Sequence, residues 1–93
     1  MKTIYKYTLE VVSQQTIYLP EGAKILTVQA QHGKPCLWAL IDRDAFITKA
    51  RVIEIFGTSH NIFFDMGQSR EYISTFQLSE GSFVGHVFEY TGV

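Results

Sequence analysis

Apolar and polar positions alternate with a period of two along most of the chain. In residues 3–11, Tyr5, Tyr7, Leu9 and Val11 alternate with Lys6, Thr8 and Glu10, which predicts a half-buried strand with Lys2, Lys6 and Glu10 on its wet side. Residues 16–19 form a second short strand, ended by Pro20, which cannot donate to a ladder. Residues 24–31 set Leu26, Val28 and Ala30 against Thr27, Gln29 and Gln31. Residues 35–41 are apolar on both sides, as a central strand requires. Three more strands follow at 50–56, 70–78 and 83–90. Strand 70–78 groups Tyr72 with Ser74, Phe76 and Leu78, and strand 83–90 groups His86 with Val84, Phe88 and Tyr90.

Turn residues separate these runs. His32-Gly33 predicts a tight hairpin, because glycine supplies the positive φ that two-residue turns need and histidine tolerates it. Residues 42–49 read as a loop, in which Asp42 or Asp44 could cap one helical turn too short to stand alone. Small and polar residues break the chain at 57–61 and 79–82, and Gly85 inside a strand predicts a bulge or a close backbone approach. The apolar triplet Ile62, Phe63 and Phe64 needs cover from a lid over the fold or from a partner subunit. Seven strands at roughly ten-residue spacing predict one all-β domain over residues 1–93, an antiparallel sandwich or a small barrel.

Composition narrows the function classes. A net charge of −1 with 18% charged and 14% aromatic residues excludes a disordered tail and argues against a binder driven by excess basic charge. The most apolar run, 35–41, is far short of the roughly 20 residues of a membrane-spanning helix. The start of the chain lacks the unbroken apolar core of a signal peptide, so a cytoplasmic protein is expected. The single cysteine, Cys36, sits in the central strand and is expected to be a buried, inert thiol. Thirteen aromatic residues exceed what so small a core hides, and some are expected at a surface or interface. Charge divides along the chain: residues 1–51 carry seven basic and four acidic side chains, residues 52–93 one basic and five acidic. Such a division would allow self-complementary association.

Candidate chemistry is sparse. His32, His60, His86 and Cys36 match no zinc spacing, no cofactor motif is present, and neighbours Ser59 and His60 point to opposite sides of an extended chain. No catalytic residue is assigned. The loop 57–61 concentrates hydroxyls and amides, so Thr58, Ser59 and His60, with Arg70 near its far end, are the candidate residues for a phosphate or small nucleotide ligand. Nucleic-acid stacking is not expected, because Tyr5 and Tyr7 alternate against Lys2 and Lys6 and so lie on the opposite face.

The segments 19–26, 33–42, 55–60 and 72–77 resemble a family of small uncharacterised proteins encoded by tailed phages and prophages. In that family a glycine commonly stands at the position of Ser59 and a proline at that of Asn61. The resemblance implies an accessory protein in a host bacterial cytoplasm and brings no activity or cofactor with it. A non-catalytic binding module acting as a homo-oligomer is therefore expected. Its sharper form is an inhibitor of host defence that binds a host protein through Phe63, Phe64, Glu71 and Glu80, with Glu54, Asp65 and Glu89 extending an acidic patch. The alternatives are an oligomeric sponge for a nucleotide-type ligand and a small phage structural or assembly protein.

Overall fold

The computed structural model describes residues 1–62 and 69–92, so the predicted contacts of Phe63, Phe64 and Asp65 lie outside the described residues. Among the described residues seven strands form: β1 (Lys2–Thr8), β2 (Gln14–Pro20), β3 (Lys24–Gln31), β4 (Lys34–Asp42), β5 (Thr48–Gly57), β6 (Arg70–Leu78) and β7 (Phe83–Tyr90), with one 3-10 turn at Ser79–Gly81. They make two antiparallel sheets, ordered β1-β4-β3 and β2-β5-β7-β6. The Cα envelope of 41 × 34 × 15 Å holds two layers at the usual spacing of about 10 Å, and the molecule is a β-sandwich.

The core is built from the inward positions of both sheets. Leu37, Ala39 and Ile41 of β4 face Leu19, Ile53, Ile55, Phe76 and Val87 of the other sheet, with Leu9 and Val28 closing the sides. Each fully buried aliphatic side chain of this kind contributes about 1.5–3 kcal/mol. β4 is central in its sheet, as its apolarity on both faces requires, and Cys36 is a buried free thiol. The loop is shorter than predicted, residues 43–47, because β5 already begins at Thr48; it has no helical turn, and the Asp42 carboxylate accepts the Asp44 N–H in a local turn instead. His32 at φ 54 and Gly33 at φ 79 make the predicted hairpin.

Two β-bulges correct the predicted faces. In β3, Ile25 pairs with Ala39 while Thr27 pairs with the next residue, Trp38, so Leu26 is an extra residue. Ile25 and Val28 therefore turn inward, and Leu26 is 40% exposed. In β6, Tyr72 pairs with Phe88 and Ser74 with Val87, which makes Ile73 the extra residue and puts Tyr72 on the face opposite Ser74 and Phe76. An extra residue shifts the phase of alternation on one side of it. The first strand also stops at Thr8, and Val11 lies exposed in the connection that crosses between the sheets.

The bulges lie where the two sheets meet. The Ser74 hydroxyl donates to Val28 O at 2.7 Å and accepts from Val28 N at 2.8 Å, so one side chain satisfies both main-chain groups of an edge residue of the other sheet. Beside it, Arg51 binds Glu89 through Nε and Nη2 and reaches Ala23 O through Nη1 at 3.0 Å. The Glu89 hydrogen bonds, partly offset by burial, hold the Arg51 guanidinium above its ordinary pKa. Gly85 faces this core: a Cβ there would come within 2.7 Å of the Phe76 ring, which is the close approach expected of a glycine inside a strand.

Candidate functional site

Of the polar residues singled out by sequence, the outer face of the four-stranded sheet carries Glu54, Arg70 and His86. Pairing places Glu54 and Phe56 of β5, His86, Phe88 and Tyr90 of β7, and Arg70, Tyr72 and Thr75 of β6 on one surface. β5 ends at Gly57, and a turn follows in which His60 N–H donates to Gly57 O at 3.0 Å. The His60 ring folds back over Gly57, whose N–H donates to Nδ1 at 3.2 Å. A Cβ on Gly57 would lie 2.5 Å from that ring, so only glycine leaves room for it. Ser59 takes φ 72, a left-handed conformation that favours glycine.

Thr58 points away from His60. Its hydroxyl lies 2.7 Å from His86 Nε2, His86 Nδ1 lies 3.1 Å from Thr75 Oγ1, and Thr75 Oγ1 lies 2.7 Å from the Tyr72 hydroxyl. Four side chains from the loop and two strands thus form one hydrogen-bonded row. His86 is half-buried on the outer face, with a hydroxyl on each nitrogen. Phe88 lies beneath, edge-to-face with Phe56 at 5.8 Å and with Tyr72 at 5.5 Å.

Arg70 does not turn toward Thr58 and Ser59. Its Nε donates to Glu54 Oε1 at 2.7 Å and its Nη2 to Glu54 Oε2 at 3.3 Å, with the guanidinium 5.4 Å from the Phe56 ring centre. Both side chains of the pair are 9% exposed. His60 and Arg70 do share an open cavity of about 680 Å³, lined also by Glu54, Phe56, Asn61 and Tyr90. Of the four predicted ligand residues, then, the cavity brings His60 and Arg70 together, while Thr58 joins the His86 row and Ser59 supplies the turn.

The predicted acidic patch is assembled only in part: Glu71 and Glu89 pair directly across β6 and β7, but Glu89 is held by Arg51, Glu54 is buried against Arg70, Glu80 stands exposed in the 3-10 turn beyond β6, and Asp65 lies outside the described residues. The physical reason is that Glu54 lies diagonally across the sheet from Arg70, and Glu89 shares the inner face with Arg51, within reach of opposite charges that linear sequence separates. Among the described residues no group of three or more His, Cys, Asp or Glu side chains could hold a metal ion, and no helix is long and apolar enough to cross a membrane. Sequence reasoning missed Thr75 as a partner of His86 and Tyr72 as the partner of Thr75. The signal available was period two on facing strands, which the bulge at Ile73 obscured.

The family described as domain of unknown function DUF7352 matches residues 1–92, and the chain belongs to that family. No curated protein and no solved structure gives a significant match.

Proposed function

For this member of the DUF7352 family we propose the role of a non-catalytic binding module that docks a protein through the outer face of its four-stranded sheet. One observation carries the reading. The groups on that face able to do chemistry are tied into contacts with one another, Arg70 to Glu54 and His86 to two threonines, while Tyr18, Tyr72 and Tyr90 stand 65%, 59% and 39% exposed around them. Aromatic side chains fixed over a satisfied polar floor are what protein-binding surfaces use, because they bury large area at small entropic cost. The resemblance to phage and prophage proteins supports a host bacterial protein as the target and interference with defence as the outcome. The many exposed apolar side chains support self-association. The nucleotide-sponge reading has less support, because the Nε and Nη2 donors of Arg70 are directed at Glu54.

Site-specific photocrosslinking in host cells tests the docking face. A crosslinker replacing Tyr18 or Tyr72 is expected to capture one host protein, and one replacing Lys34 on the other sheet is not. The captured protein, purified, is then expected to bind the full chain and to lose about tenfold or more in affinity to Tyr72→Ala. Capture from Lys34 alone, or full affinity of the Tyr72 variant, overturns the reading. Native mass spectrometry of the same preparations counts subunits and would reveal a retained nucleotide, the outcome that favours the sponge.

A further inference from the structure

The outer face of the three-stranded sheet has a different chemistry. Its pairing forms rows: Ile4, Leu40 and Lys24; Lys6, Trp38 and Thr27; Thr8, Cys36 and Gln29. Lys2 pairs with Asp42 at one end, and Lys34 with Gln31 at the other. Directly paired residues share a face with Cβ atoms about 5 Å apart. An apolar column, Leu40-Trp38-Cys36, widened by Ile4 beside Leu40 and ending at the buried Cys36, therefore runs down the centre of the sheet with lysines on both flanks. The strands of this sheet hold four lysines and one aspartate, a net +3, whereas the rest of the chain holds four basic and eight acidic side chains, a net −4.

These lysines are exposed and, among the described residues, none of them has a carboxylate within ion-pair distance; the one paired lysine is Lys49, on Glu21. Lys6 donates to the neutral Gln31 at 2.6 Å. Asp42, the single acid of the face, is already engaged by the Met1 ammonium and the Asp44 N–H. The tyrosines lie on the other side of β1, as expected from alternation, but Trp38 is the aromatic residue that shares the lysines' face, half-buried beside Lys6.

We infer that this face binds single-stranded nucleic acid, with a base stacked on Trp38 and backbone phosphates held by Lys2, Lys6, Lys24 and Lys34. A narrow apolar column between cations complements a strand that presents flat bases along an anionic backbone. A duplex fits less well, since a flat sheet face offers no element to enter a groove. The face is separate from the one proposed to dock protein, so the outcome here leaves that reading untouched.

Trp38 is the chain's one tryptophan, and its fluorescence reports the contact directly. The full chain is titrated with oligothymidylate and, separately, oligouridylate of about a dozen residues at about 50 mM salt, the two arms distinguishing DNA from RNA. Quenching by at least one is expected, with affinity falling as salt rises along a log–log slope of up to about −3 for four lysines. Lys6→Glu combined with Lys24→Glu is expected to weaken binding about tenfold or more at unchanged melting temperature. Absence of quenching by both oligonucleotides overturns the inference. So does equal quenching by inorganic polyphosphate, which has no bases, quenching by phosphatidylserine vesicles alone, or an unchanged affinity of the double variant.

Discussion

On the outer face of the four-stranded sheet the two charged side chains, Glu54 and Arg70, neutralise each other at 2.7 Å, whereas on the outer face of the three-stranded sheet four lysines stand without ionic partners among the described residues. Both faces come from the same alternation of apolar and polar positions, and both carry aromatic residues. They differ in what the polar positions do. In the first, charge and hydroxyls are consumed in stabilising the surface itself, and aromatic rings are left to meet a partner. In the second, charge is left open. A whole-chain charge of −1 averages these surfaces and describes neither.

The contrast can be broken by substitution, and the largest effect is expected at the buried pair. Glu54→Ala should cost about 3 kcal/mol, because it strips a carboxylate from a guanidinium that is 9% exposed, and urea denaturation measures it. Ser74→Ala attacks the seam between the sheets. Losing a hydroxyl that serves both Val28 N and Val28 O should cost about 1–2 kcal/mol in the same experiment.

A smaller effect is expected from pH. The Met1 ammonium is held above its ordinary value of 8.0, first by Asp44 and then by Asp42. Its contribution is therefore full below about pH 8 and is lost as pH rises through the raised value. Asp42 is held below its ordinary 3.8, first by the Asp44 N–H and then by the Met1 ammonium, and its contribution is lost as pH falls through the lowered value. In a melting-temperature profile, Asp42→Asn should diminish the acid arm and weaken the alkaline one. The smallest effect sharpens the comparison. Lys6→Ala and Lys24→Ala should each leave stability within about 0.5 kcal/mol of the parent, since neither lysine is ion-paired.

Much of the sandwich was legible in the sequence. Apolarity on both faces of residues 35–41 identified the central strand, and glycine signals located the 31–34 hairpin and the close packing at Gly85. The bulges were not legible, because an extra residue leaves no mark in composition and only its neighbours' pairing exposes it. Tyr72 consequently appeared on the wrong side of β6. The site was less accessible still. Glu54 and Arg70 are sixteen residues apart and lie on strands separated by β7, so nothing local couples them. The loop 57–61 was correctly seen as polar, but its form depends on a left-handed Ser59 and on a ring folded over Gly57, both set by three-dimensional closure. The partial exposure of Trp38 is not legible either, because it stands in a run whose apolarity signals burial alone.

The bulges also set which changes of chain length the molecule tolerates. Removing Leu26 or Ile73 would leave every other residue of its strand opposite its present partner, since Ile25 and Thr27 already face consecutive residues of β4, and Tyr72 and Ser74 consecutive residues of β7. Removing any other interior residue of β3 or β6 would turn one part of the strand over and exchange core for surface. Single-residue insertions and deletions among relatives of this protein should therefore gather at positions 26 and 73, inside strands, and not only in the loops where length variation ordinarily accumulates.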